Sequence, residues 1–309
     1  PSGYGEGFQS KRRIYTRLAS AERSLVTRGE VDATVDEWLG VLVGGTWQEY
    51  GDVHGGKHVG KQPFTGYRVC SGDFRLEYHP DPDSTLTLAH YQFYQDDAWR
   101  THKTIHGIAW EGTTVGGERE RRLDQGRSLS YARYRKENLG GFVDAYELTF
   151  SFQQTRERRR RVRDSRGIDH QGFDVQTYGL GAQFETPSPI GRWTYGLEWY
   201  HDEVSSFADK FNPDGSLKKR EIQGPVADDA RYDLLGLYVQ DEIPVGDQLE
   251  VILGGRYTFA AADADRVKDP DTGRQIGVDE NWCSLVGSAR AAYFLDPERH
   301  WNLFGGVSQ

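Results

Sequence analysis

Apolar residues recur at every second position along most of this chain. From Leu25 to Ala33 the odd positions are apolar or small, and from Arg28 the even ones are charged. In Leu249 to Phe259 one face carries Leu249, Val251, Leu253, Tyr257 and Phe259, and the other carries Glu250, Arg256 and Thr258. The same alternation sets Cys70, Phe74, Leu76 and Tyr78 against Asp73, Arg75 and Glu77. It sets Leu148, Phe150 and Phe152 against Glu147, Thr149 and Ser151, and Trp193, Tyr195, Leu197 and Trp199 against Thr194, Glu198 and Tyr200. A period of two is the mark of a strand with one apolar face. No amphipathic helix longer than two turns is found. One stretch breaks the pattern: within 84–96, Leu86 and Leu88 point one way while Tyr91 and Phe93 point the other. A β-bulge is expected there.

Short turns rich in Pro, Gly and Asp fall near Val35–Glu37, Pro80–Ser84, Glu137–Gly141, Thr186–Arg192, Ile243–Asp247 and Leu295–Arg299. Longer polar connections alternate with them at 50–67, 97–122, 158–171, 205–231 and 260–280. Strands of roughly 10–13 residues, joined by tight turns on one side and long loops on the other, describe an outer-membrane barrel. Six short turns imply about twelve strands, with 8–20 as a further one. Repeats of about 50 residues also fit propeller blades, but a blade needs four short strands per repeat and here each repeat holds two long ones. A soluble sandwich is the other alternative, although its strands usually run only ~5–6 residues.

Composition sharpens this picture. Apolar residues make up 36% of the 309, a low share that 37 Gly restore to an ordinary total, so apolar surface is spread one face at a time. No uncharged apolar run approaches the roughly 18 residues of a membrane helix, which leaves strands as the only way to cross a bilayer. The net charge of −9 gives no basis for nucleic-acid binding. Trp38, Trp47, Tyr78, Trp193, Trp199, Tyr257, Trp282, Tyr293 and Trp301 gather toward strand ends, as two interfacial girdles would require. If the apolar face meets lipid, then Arg28, Glu30, Asp32, Asp73, Arg75, Glu77, Glu147, Glu198, Glu250, Arg256 and Arg290 line an interior wide enough to be wet. Cys70 and Cys283 fall on the apolar face by parity and are expected to be small inert hydrophobes.

Tyr238-Val239-Gln240-Asp241-Glu242, a turn at Pro244 to Asp247, and a strand running from Leu249 to Gly254-Gly255-Arg256-Tyr257 form a strand pair that resembles those of TonB-dependent outer-membrane receptors. Ser20-Ala21-Glu22 and the strand Trp301–Gln309 are similar to segments of the same family, and Gln95 to His102 resembles its haem and haemoglobin receptor branch. The resemblance implies an all-β, antiparallel transmembrane β-barrel of about 22 strands, an N-terminal plug and an energy-coupling box. This chain shows about 12–13 of those strands and neither plug nor box. With no Met, a polar Pro1 to Gly7 without signal-peptide character, and a last strand that stops midway, residues 1–309 are expected to be one partial barrel domain cut from a longer protein. The implied parent is an outer-membrane receptor of a Gram-negative-type envelope that takes up haem or a ferric chelate as cargo, holds no permanent cofactor and works with the TonB energy-coupling protein through its plug. A passive porin or small complete barrel, and a soluble β-rich binding module, are the alternatives.

Little in the chain suggests catalysis: no triad, Cys pair or phosphate-binding loop appears. Nine His include the pairs His54/His58 and His102/His106, both in long loops. Imidazole ligates haem iron, and Trp99 and Trp110 flank the second pair with rings able to stack on a macrocycle. His102, His106, Trp99 and Trp110 are therefore the candidate ligand contacts, against the alternative of solvated loop side chains. The run Arg156-Glu157-Arg158-Arg159-Arg160-Arg161 enters the 158–171 loop, where Arg158, Arg159, Arg160 and Arg161 are candidates for lipopolysaccharide phosphates. A solvated loop base is the alternative there. Asn212 to Ser216 has turn chemistry but lacks the ligand spacing of a cation site.

Overall fold

The computed structural model describes residues 4–224 and 226–309; Pro1 to Gly3, at the Gly-rich start, and Pro225, in the 205–231 connection, lie outside the described residues. Among them a single antiparallel sheet runs through β1 (Phe8–Ala19), β2 (Ser24–Val35), β3 (Leu39–Tyr50), β4 (Tyr67–Asp81), β5 (Ser84–Trp99), β6 (Glu118–Lys136) and β7 (Ala145–Arg163). It continues through β8 (Ile168–Pro187), β9 (Arg192–Phe211), β10 (Leu217–Glu221), β11 (Asp228–Val245), β12 (Leu249–Lys268), β13 (Gln275–Phe294) and β14 (Asn302–Ser308). Each strand pairs with the next, except that β10 is a short flap on β9 and β11 takes the following place. The sheet is open, since β1 and β14 do not pair with each other. Among the described residues helix is confined to α1 (Gly56–Val59) and a 3-10 turn (Thr101–Lys103), neither long and apolar enough to cross a membrane.

Up-and-down order places every second connection on the same side. One side holds 36–38, 82–83, 137–144, 188–191, 246–248 and 295–301; the other holds 20–23, 51–66, 100–117, 164–167, 212–227 and 269–274. The two expected sets thus fall on opposite sides, but the long set is shorter than its charge suggested, and 164–167 is shorter than 137–144 on the other side. β6 to β9 are 19 or 20 residues each, so 158–171 shrinks to 164–167 and 260–280 to 269–274. The physical reason is that a ladder beyond the lipid has water on its outer face. Its backbone bonds persist while both faces turn polar, and the hydropathy signal of a strand vanishes.

Register divides the side chains into two faces. Leu25, Val31, Val43, Trp47, Phe74, Leu148, Phe150, Leu180, Leu237, Leu253, Tyr257 and Leu285 share one face and are exposed. Cys70 and Cys283 lie on it too, as free thiols. Every charged residue assigned to the interior lies on the other face. Trp282 is a correction: it pairs with Ala260 on the polar face and belongs to no lipid girdle. The remaining rings mark two heights on the apolar face. Trp38, Tyr78, Trp193 and Tyr293 sit beside the short turns, Trp301 lies in the last of those turns, and Trp47, Trp199 and Tyr257 sit six to nine residues further along. That separation is ~20–30 Å along a strand at about 3.3 Å per residue, a range that brackets the apolar band of outer-membrane barrels.

Long side chains on the polar face reach across two strand spacings. Arg28 on β2 grips Asp73 on β4 with both terminal nitrogens, at 2.7 and 2.9 Å. Arg256 on β12 donates to Glu198 on β9 at 3.0 Å, and Tyr238 on β11 donates to Gln183 on β8 at 2.9 Å. In each case the strand between presents a glycine, Gly44, Gly236 or Gly196, where a Cβ would overlap the crossing side chain. These bridges mark the concave side of the wall, because side chains converge only where a sheet curls toward them.

Candidate functional site

Two long connections, 51–66 and 100–117, lie side by side because they join consecutive hairpins. Asp52 ties the first together: Oδ1 accepts from the backbone N–H of Thr65 at 3.0 Å and of Gly66 at 3.2 Å, and Oδ2 meets Lys61 Nζ at 3.1 Å. Burial pushes the Asp52 carboxyl up, but the hydrogen bonds from Lys61, Thr65 and Gly66 outweigh it and hold it below its ordinary value. The second loop is anchored by two buried threonines. Thr104 Oγ1 donates to Thr101 O at 2.8 Å, and Thr101 Oγ1 donates across to Phe64 O of the first loop at 2.7 Å.

Phe64, held at a φ of 59°, then lies against Trp99 at the end of β5 and His106 of the second loop. It stacks on Trp99 with centroids 4.6 Å apart and meets His106 at 4.5 Å. Trp110 stacks instead on His58, at 4.8 Å and 13°. The structure therefore brings Trp99 and His106 together and separates them from His102, which stands exposed on the 3-10 turn, and from Trp110. The flat faces expected to stand free are partly occupied by each other. Phe64 went unnoticed in the sequence because nothing local distinguishes it from any loop aromatic; His58 was visible as half of a pair, but its partner proved to be a tryptophan.

The arginine run lies inside β7, not in a loop, so period two splits it. Arg158 and Arg160 share the outer face, where Arg158 pairs with Asp174 and Arg160 with Glu120. Arg159 and Arg161 face the interior, with Arg121 and Arg163, and so point away from the outer leaflet. Arg161 and Arg163 both reach Asp169 Oδ2, the latter at 2.8 Å, and Arg121 Nε meets Glu118 Oε2 at 2.8 Å. Arg159 has only the amide oxygen of Gln171, and its Nε is buried without an acceptor. Burial first, then the charges of Arg121 and Arg161, push the Arg159 guanidinium down to about 10. It stays charged at neutral pH.

Immediately below, an open groove of about 710 Å³ crosses the inner wall of β4 to β8. Tyr91 and Phe93, 40% and 38% exposed, form its wall with Leu129 and Phe173. The bulge expected to explain the break is not at the break: β5 runs in unbroken register from Leu86 to Gln95, and the irregularities lie at its two ends, opposite Tyr78–Asp81 and between Gln95 and Ala98. The pattern broke because Leu86 and Leu88 face lipid while Tyr91 and Phe93 face inward. Elsewhere, Asp296, Glu298 and His300 converge on an exposed short turn, far from this mouth.

An amphipathic meander with an apolar belt between aromatic rows, a charged concave face and one elaborated end is the wall of an outer-membrane barrel. The profile of the family "TonB dependent receptor-like, beta-barrel" matches residues 38–309, and the chain belongs to that family. Its place is the outer membrane. No curated protein matches by sequence. Among solved structures the chain is similar to the copper transporter OprC, at 14% identity and a TM-score of 0.76, over 100% of this chain and 46% of that one. It is similar to the FrpB iron transporter from Neisseria meningitidis (14%, TM-score 0.68, covering 97% and 45%). It is also similar to the Serratia marcescens hemophore receptor HasR, solved with its hemophore HasA and heme (16%, TM-score 0.68, covering 98% and 44%). Identities this low show the fold alone, and the chain spans about half the length of these relatives, for instance 46% of OprC.

Proposed function

We propose that this wall belongs to a transporter, not an enzyme, which takes up haem or a ferric chelate across the outer membrane. The observation that carries this reading is the mouth: two loops locked into one unit by Phe64, Trp99 and His106, above an interior face that is polar and wet. Cargo meets His106 and Trp99 at the aromatic cluster and His102 and Trp110 at its margin. Movement inward is driven by the TonB energy-coupling protein acting on a plug that fills the barrel. Outside, Arg158 and Arg160 meet lipopolysaccharide phosphates at the level of the outer leaflet, a role that their neighbours Arg159 and Arg161 do not share. Nucleic acid has no part in it.

The test is iron uptake by cells that carry the full-length receptor, supplied with haem or ferric chelates as sole iron source, with and without TonB. TonB-dependent growth supports the reading, and growth indifferent to the receptor refutes it. For the loop residues, His102→Ala with His106→Ala weakens haem binding, seen as a reduced Soret shift on titration. An unchanged titration removes both from the site.

A further inference from the structure

Two features of the inner wall are unexplained by barrel architecture. The first is a patch of aromatic and aliphatic surface on a largely polar face: Tyr91, Phe93, Leu129 and Phe173 around one groove. The second is an excess of positive charge directly above it. Arg121, Arg159, Arg161 and Arg163 face Glu118 and Asp169, and the neighbouring Lys210 is already taken by Glu221. The two features are continuous. Glu157 and Phe173 border the groove, and Arg159 and Gln171 are the next inward positions on the same two strands.

Such an arrangement costs the fold free energy. Guanidinium groups repel one another, and a buried N–H without an acceptor forfeits a hydrogen bond. Arg159 bears both costs: it forms no ion pair among the described residues and its Nε lacks an acceptor. The cost is recovered if an anion from outside completes the cluster, since charge-assisted bonds to guanidinium are among the strongest available.

Height decides which anion. The groove lies about 7–14 residues from the short-turn end of its strands, or ~23–46 Å along a tilted strand, and the arginines lie higher still. That is the outer boundary of a band ~25 Å tall, on the mouth side, where an incoming solute arrives. A volume of about 710 Å³ is in the range of small-molecule sites.

We propose that this groove and the arginines above it form a subsite for the anionic, aromatic part of the cargo, with carboxylates or ionised phenolates at Arg159 and a planar body against Phe93 and Phe173. The inference rests on the uptake reading above and narrows its substrate class. Cargo that carries no negative charge offers Arg159 only a neutral acceptor, as Gln171 already does.

The test uses the full-length receptor in detergent with three probes: haem, a trianionic ferric tris-catecholate and an uncharged ferric tris-hydroxamate. Arg159→Gln should weaken binding of the anionic probe that the receptor transports about tenfold, one charge-assisted contact. Arg159→Lys should retain most of it, and Phe173→Ala should weaken the same probe. Raised salt should weaken it too. If Arg159→Gln leaves anionic binding unchanged and lowers only the melting temperature, the arginines serve an internal partner such as the plug, and the inference falls. If the receptor binds and imports only the uncharged chelate, the inference falls and the iron-uptake reading stands. If it imports no iron complex of any charge, both fall.

Discussion

Gly44→Ala should destabilise the barrel through the Arg28–Asp73 bridge. The added Cβ overlaps the Arg28 guanidinium and comes within 2.9 Å of Asp73 Oδ2, in the space where that pair crosses β3. Both side chains are about three-quarters to four-fifths covered, at 25% and 19% exposure, so the pair is worth more than a surface contact. Hydrogen bonds to charged groups contribute about 1.5–3 kcal/mol, of which a retracted Arg28 recovers part through Glu30, Thr46 and lumen water. Alanine would otherwise favour a strand over glycine by roughly 0.5–1 kcal/mol. The net cost of Gly44→Ala is then about 1 kcal/mol. In an Arg28→Ala background the same substitution meets no guanidinium and becomes neutral or stabilising, a coupling of ~1.5 kcal/mol. Denaturant titration of the full-length receptor folded into lipid vesicles measures all four corners of the cycle. Equal costs in both backgrounds would refute the bridge.

Three further outcomes follow from the same geometry. Leu253→Arg, on the apolar face between the two aromatic rows, should cost about 2–4 kcal/mol in vesicle folding, while Ile252→Arg, one position away on the polar face, should cost less than 1 kcal/mol. The β10 flap should loosen in acid: hydrogen bonds from Lys210 and then Lys219 hold Glu221 at about 2 against 4.5 unfolded, so their contribution is complete above pH 4.5 and is lost as pH falls toward 2. Amide exchange of Leu217–Glu221 that stays constant over that window would contradict it. Phe64→Ala should free both long loops together, with faster amide exchange at Thr104 and Gly107 as well as at Gly60. A change confined to the loop that carries Phe64 would mean that the loops move separately.

Much of this fold was legible because lipid is an unforgiving solvent. Each position of a spanning strand is forced to be apolar or polar by its parity, so 249–259 and 70–78 announced both their structure and their faces. Legibility ended where that constraint ended. Outside the bilayer Arg156 to Arg163 stay in strand with polar groups on both faces, and charge alone read as a loop. The mouth was the least legible part, because Phe64 reaches Trp99 and His106 only through the packing of two loops 35 residues apart in sequence. Tyr91 and Phe93 were visible as an anomaly, yet the economical explanation, a bulge, hid an apolar patch that faces inward.

The central claim is the division of the sheet into a lipid face and a water face. Nitroxide labels placed singly at 249–259 of the full-length receptor in lipid vesicles test it directly, by power saturation with oxygen and with a polar nickel chelate. The account predicts a period of two, with oxygen maxima at Val251, Leu253 and Tyr257 and nickel maxima at Glu250, Ile252 and Arg256. A flat profile, or one with the two sets exchanged, would contradict it.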